Sequence, residues 1–122
     1  MQQTQHKVAI WAFRGDPMCA VHVFINALNM HHLGYSVKIV IEGEATGLIK
    51  TYHDEKEKAP FYDLYTDVKD KGLINAVCRA CTMKINGSVK EVEAEGLPLI
   101  GLLNGHPSMS SYIDTGYQII TL

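Results

Sequence analysis

Two cysteines carry the strongest chemical signal in the chain. Cys78 and Cys81 stand in the run Leu73-Ile74-Asn75-Ala76-Val77-Cys78-Arg79-Ala80-Cys81-Thr82-Met83-Lys84, where a short apolar strand gives way to a helical turn. Backbone N–H groups at a helix start lack intrahelical partners and favour negative charge. A thiol placed there is biased toward thiolate, the form that attacks sulfur and binds metal. Arg79 and Lys84 add positive charge nearby, which works in the same direction. A cysteine in a strand is otherwise a small buried hydrophobe, and that is the plain alternative for either residue. The pair suits three chemistries: a thiol that carries sulfur as a persulfide, a dithiol/disulfide switch, or half of a metal site.

A structural zinc site wants four ligands, commonly two Cys-x-x-Cys knuckles or one knuckle with two histidines. Only one knuckle is present, and Cys19 and His106 complete it only if the fold brings them in. No metal or cofactor is therefore assigned. A thioredoxin-like redox motif also opens a helix after a strand, but it follows an early strand beside an aromatic residue, whereas this pair follows the third strand. Cys19 lies in the turn Gly15-Asp16-Pro17-Met18-Cys19, where the first helix begins. It reads as a core cysteine, a pocket-lining residue or a resolving thiol. His106, in Asn104-Gly105-His106-Pro107, precedes a helix and is placed to tune a nearby thiol. His31 and His32 suit a helix C-terminus, while His22 and His53 have no partner by spacing. Nucleotide-binding glycine fingerprints, Gly-x-Ser-x-Gly and a paired-carboxylate arrangement are all missing, so hydrolase chemistry has little support.

The elements that must position these groups can be read in order. Lys7–Phe13 is a nearly unbroken apolar run, as expected for a strand buried on both faces. Asp16 caps and Pro17 opens a helix running to about Leu33, with Ala20, Phe24, Ala27 and Leu28 on one face and Gly34 at its end. Tyr35–Glu42 is a second strand, and its Lys38 suggests a position near the sheet edge. Helices follow over 44–56, with Ala45, Leu48, Ile49 and Tyr52 inward, and from Pro60 to Gly72, with Phe61, Leu64, Tyr65 and Val68 inward. The mixed charges of Asp54–Lys58 form a solvated face. After the strand Leu73–Val77 come a short helix over 81–86, a break at Gly87, and a weak helix over 89–95. A strand at Pro98–Leu103, a helix over 107–115 and a last strand Tyr117–Leu122 complete the chain.

Strands alternating with helices imply a three-layer α/β sandwich around a mostly parallel five-stranded sheet, of flavodoxin-like type. Ligands in such sheets bind beyond the carboxyl ends of the strands. The Gly15–Cys19 turn, the cysteine pair with Arg79, and His106 are all expected at that rim.

The 122 residues suffice for one domain, with residues 1–6 as a flexible tail. Hydrophobic content of 47%, charged content of 20% and a net charge of −2 fit a globular protein without a basic face for nucleic acid. The polar start and short apolar runs argue against a membrane span, and three cysteines are too few for a secreted disulfide framework. A cytoplasmic location is the expectation.

The opening strand and helix at Lys7–Leu33, the segment Ala76-Val77-Cys78-Arg79-Ala80-Cys81, and the ending Gly96-Leu97-Pro98-Leu99…Gly116-Tyr117-Gln118-Ile119-Ile120-Thr121-Leu122 together resemble the DsrE/DsrF/TusD-like superfamily over nearly the whole length. The resemblance implies a small DsrE-like α/β fold assembled into homo-oligomers, trimers or hexamers. It implies that Cys78 accepts sulfane sulfur from a donor protein and passes it to an acceptor protein as a persulfide. Cys81 matches the second cysteine of members with a Cys-x-x-Cys here. Two other functions stay open: a non-catalytic oligomeric module that binds a ligand or serves structure, and a dithiol redox switch.

Overall fold

The computed structural model describes residues 5–86 and 88–122, with backbone only at Asn86. Five strands form one parallel sheet in the order β4-β3-β2-β1-β5. They are β1 (Lys7–Ala12), β2 (Ser36–Ile41), β3 (Ile74–Cys78), β4 (Leu99–Ile100) and β5 (Gln118–Thr121). The helices are α1 (Pro17–His32), α2 (Thr46–Glu55), α3 (Tyr62–Asp70), the single turn α4 (Arg79–Cys81), α5 (Val89–Ala94) and α6 (Met109–Ile113). This is the α/β sandwich expected, and the sheet is parallel throughout.

The strand order explains why the two faces differ. From β1 to β4 the chain steps in one direction, and the intervening helices share one face. There Ala20, Val23, Phe24, Ala27 and Leu28 of α1, Leu48, Ile49 and Tyr52 of α2, Tyr65 and Val68 of α3, and Val92 of α5 pack on Val8, Ile10, Ile39, Ile41 and Val77. The return from β4 to β5 crosses the other face, where α6 is the only helix among the described residues to supply cover. Tyr112 and Tyr117 pack there on Ala9, Trp11, Val40 and Ala76. The two sets alternate along each strand, as the pleat requires.

Asp16 caps α1 as expected, its Oδ1 accepting from the Met18 N–H at 2.8 Å. Gly34 (φ +88°) and Gly72 (φ +71°) turn the chain after α1 and α3 in the left-handed region open to glycine. Several expectations need correction. β2 lies between β1 and β3, not at an edge. Lys38 is accommodated because it faces the thinly covered side, its Nζ 4.8 Å from the Tyr117 ring centroid. Phe61 is exposed and sits in the left-handed region just before α3. β4 is only two residues long, bounded by Pro98, which cannot donate to the ladder, and by Gly101, where the chain turns away. The end of the expected tail is tied down, the His6 carbonyl accepting from Ser36 N–H at 2.9 Å. Residues 1–4 of that tail and the break at Gly87 lie outside the described residues. His53 has a partner from a distant element, Glu95, at 2.8 Å. No helix among the described residues is long and apolar enough to cross a membrane.

Candidate functional site

The carboxyl ends of β2, β3 and β4 bring four side chains to one point. The register Ile41↔Val77 sets the next residues, Glu42 and Cys78, side by side, and Cys78 is itself opposite Ile100. Beyond β4, the segment 101–106 folds back on itself, with Gly105 N–H donating to the Gly101 carbonyl and Leu103 and His106 exchanging both backbone hydrogen bonds at 2.8 Å. The Ala80 N–H then donates to the Gly105 carbonyl at 2.9 Å, docking this loop on the Cys-x-x-Cys turn. Gly105 is required there. Its φ is +92°, and a Cβ on it would stand 2.9 Å from Ala80 Cβ. The docked loop delivers His106 onto the thiols.

Three groups converge on one ring nitrogen. His106 Nδ1 lies 3.1 Å from Cys78 Sγ, 3.8 Å from Cys81 Sγ and 3.0 Å from Glu42 Oε2. The other Glu42 oxygen accepts from Trp11 Nε1–H at 2.7 Å, which fixes the carboxylate's orientation from β1. Cys78 closes β3, and its Sγ accepts from the Cys81 N–H at 3.4 Å. Thr82 Oγ1–H donates to the Cys78 carbonyl at 2.7 Å. After α4 the chain continues as a π-type turn over Thr82–Asn86, a wide turn found often at functional sites.

The electrostatics correct one expectation. Cys78 is fully buried and Cys81 is 7% exposed. Burial first, then the Cys81 side chain and the charge of Glu42, push the Cys78 thiol up to about 12, outweighing the Cys81 N–H that favours the anion. The thiol is thus not held as an anion by its surroundings. Arg79 points into solvent, and α4 is one turn long, too short to sum many peptide dipoles. The thiols are not sealed in hydrocarbon, however. They meet an imidazole that is 42% exposed and a carboxylate, so polar groups lead from the sulfurs to the surface.

The remaining residues singled out in the sequence lie elsewhere on the rim. Asp16 is engaged as the α1 cap, and Gly15 packs against Glu44, whose carbonyl oxygen would lie 3.0 Å from a Cβ on it. Cys19 lines a separate open cleft of about 480 Å³ with Phe13, Arg14, His22, Thr121 and Leu122. That cleft lies where β1 and β5 end, at the point where the strand order reverses. The rim therefore carries two sites, and only His106 joins the cysteine pair. Glu42 is the member that sequence reasoning missed. A signal existed, since it follows a buried strand directly, but only the β2–β3 register shows that it faces Cys78.

Over 102 residues the chain is 36% identical to the "Uncharacterized protein MJ0733" of Methanocaldococcus jannaschii, an alignment spanning 84% of this chain and 78% of that one. The chain belongs to the MJ0733 family. A second relative, an "Uncharacterized protein" of Archaeoglobus fulgidus, is 42% identical over 40 residues, which is 33% of this chain and 66% of that protein. No family model matches the chain, and no solved structure matches it. For this MJ0733-family member the site chemistry is therefore argued from its own side chains: two thiols, one imidazole and one carboxylate, able to exchange protons, to exchange sulfur, or to ligate a soft cation.

Proposed function

We propose that this protein is a sulfur-transfer protein of the DsrE type, with Cys78 as the sulfur-accepting thiol. The observation that carries the reading is the His106 imidazole, 3.1 Å from Cys78 Sγ at the carboxyl end of β3 and open to solvent on its other side. Such a base supplies what burial withholds from the thiol. The Cys78 proton passes to His106 Nδ1, and the imidazolium is steadied by Glu42 Oε2 at 3.0 Å. The thiolate attacks the outer sulfur of a donor persulfide, R–S–S–H. The donor's S–S bond breaks, Cys78 becomes Cys78–S–S–H, and the departing thiolate takes the proton from the imidazolium. An acceptor thiolate then removes the outer sulfur by the same exchange. The half-exposed His106 ring marks the side from which a donor approaches the sulfur.

Cys81 supports a second reading, since its Sγ lies within 4.8 Å of Cys78 Sγ. Its thiolate attacks the inner sulfur of the Cys78 persulfide, giving a Cys78–Cys81 disulfide and releasing hydrosulfide. In this second reading the pair is a dithiol switch, and wild type ends as the disulfide where Cys81→Ser keeps the added sulfur.

Self-association into a trimer or hexamer belongs to the same proposal. Leu102 (86% exposed), Leu103, Met109, Ile113, Ile120 and Leu122 are exposed apolar side chains of the loop after β4, α6 and the β5 end. A reducing, cytoplasmic setting suits three free cysteines.

The test is intact mass after treating the reduced, metal-free protein with a persulfide donor. Wild type gains one sulfur, Cys78→Ser gains none, and Cys81→Ser gains and retains one. Equal gain in wild type and Cys78→Ser contradicts the proposal.

A further inference from the structure

From the four side chains at the ends of β2, β3 and β4, we infer that the protein binds one divalent, borderline-soft cation of the zinc type, through Glu42, Cys78, Cys81 and His106. The inference stands apart from sulfur transfer, because it needs only the positions of the donors.

The first argument is geometric. One ligand atom from each residue lies within 4.8 Å of every other. The separations from His106 Nδ1 are 3.0 Å to Glu42 Oε2, 3.1 Å to Cys78 Sγ and 3.8 Å to Cys81 Sγ. With Zn–S bonds of about 2.3 Å and Zn–N and Zn–O bonds of about 2.0–2.2 Å, ligand atoms at tetrahedral angles stand about 3.4–3.8 Å apart. Small side-chain shifts bring the four groups to that arrangement around a shared centre.

The second argument is hydrogen-bond accounting. The Nδ1 of an imidazole carries at most one proton, yet a carboxylate oxygen and two sulfurs all approach it. The thiol protons find only weak partners, Cys78 Sγ–H donating to the Gly105 carbonyl at 3.7 Å, so three electron-pair donors crowd one nitrogen with little hydrogen bonding to hold them there. A cation at their centre satisfies all four together, and the two thiol protons leave to solvent as it binds.

The third argument is the support behind the donors. Trp11 Nε1–H holds Glu42 Oε1 at 2.7 Å, leaving Oε2 for the cluster. The Cys81 N–H donates to Cys78 Sγ, as a backbone amide does toward a metal-bound sulfur. The glycine contact between Gly105 and Ala80 sets the loop that carries His106. Two sulfurs, a nitrogen and a carboxylate oxygen favour a thiophilic ion such as zinc over magnesium or calcium, which prefer oxygen ligands throughout.

Four protein ligands close the coordination shell, so the bound ion holds the ends of β2 and β3, the α4 turn and the β4–α6 loop together. It also occupies both sulfurs. Metal and transferred sulfur are therefore alternative occupants, and the cation acts as a guard on the thiols.

The experiment adds Co(II), and separately Zn(II), to the reduced, metal-free chain. Cobalt at one equivalent is expected to give a sulfur-to-cobalt charge-transfer band and tetrahedral d–d bands. Zinc is expected to displace it and to shield two of the three thiols from a disulfide reagent, leaving Cys19 reactive. Glu42→Gln and His106→Ala are expected to keep the charge-transfer band but weaken affinity by more than about tenfold. Cys19→Ser is expected to change nothing. Cobalt that binds without a charge-transfer band, zinc that leaves all three thiols reactive, or a band undiminished in both Cys78→Ser and Cys81→Ser overturns the inference. The wild-type readings need no variant to fold. A chain that takes metal but no sulfur keeps this inference and removes the transfer reading, and a chain that takes sulfur but no metal does the reverse.

Discussion

Replacing Gly105 by alanine tests how His106 reaches the thiols. The residue sits at φ +92°, and an alanine there costs about 1–2 kcal/mol in backbone strain. Its Cβ would also stand 2.9 Å from Ala80 Cβ, against an ordinary carbon–carbon contact of about 3.5–4.0 Å. Relieving that overlap requires the loop to lift from the Cys-x-x-Cys turn, at about 1–3 kcal/mol. The total of about 2–5 kcal/mol is within the stability of an ordinary domain, so Gly105→Ala remains folded but weakened. Two assays read it. Denaturant unfolding gives the stability loss, and the rate of Cys78 alkylation by a small electrophile reports whether His106 has moved off the sulfur. The rate should fall, because the imidazole that takes the Cys78 proton is displaced from a thiol that burial keeps neutral. The Ala80→Gly, Gly105→Ala double variant removes the overlap but not the φ strain. A double-mutant cycle should therefore show favourable coupling of about 1–3 kcal/mol. Additive effects within a few tenths of a kcal/mol, or an unchanged alkylation rate, would refute the claim that this glycine contact positions His106.

Three further predictions concern parts of the fold with separate duties. Glu95 accepts from Tyr65 Oη–H at 2.5 Å and Lys69 Nζ at 3.0 Å and pairs with His53 Nδ1 at 2.8 Å. Burial raises its carboxyl, but these contacts outweigh burial and hold it at about 2. An unfolded glutamate titrates near about 4.3, so the pairing contributes about 3 kcal/mol in full above about pH 5 and loses it as pH falls toward 2; urea midpoints of Glu95→Gln should fall less steeply over that window than those of wild type. Asp16→Ala should cost about 1 kcal/mol through the lost α1 cap while leaving sulfur uptake at wild-type level, and reduced uptake would bring the Gly15–Cys19 turn back into the cysteine site. Cys19→Ser should likewise retain full uptake by intact mass, since Cys19 lines the other cleft.

Much of this arrangement was legible before any coordinates. The unbroken apolar run at Lys7–Phe13, the Asp16-Pro17 helix start and the glycines after α1 and α3 are local signals, and the chain obeys them. Cys78, Cys81 and His106 stood out because their residue types are scarce and their neighbours punctuate the chain. What was not legible depends on long-range pairing. Lys38 suggested an edge strand, but the apolar length of its side chain lets it lie over Tyr117 in an interior one. Glu42 looked like one more strand-end carboxylate until the β2–β3 register set it opposite Cys78. The charge state of the thiol failed for a different reason. A helix start and a nearby arginine favour the anion, but α4 is a single turn, Arg79 is exposed, and burial of the sulfur dominates.

Peptide mapping is the most direct measurement of the central claim. The reduced, metal-free wild-type protein is treated with a small-molecule persulfide, its remaining thiols are blocked, and the digest is read by tandem mass spectrometry. The account predicts one added sulfur, carried by Cys78, with Cys19 and Cys81 recovered in their blocked form. Sulfur found on Cys19, or a Cys78 that takes up none while the protein remains folded, would contradict it.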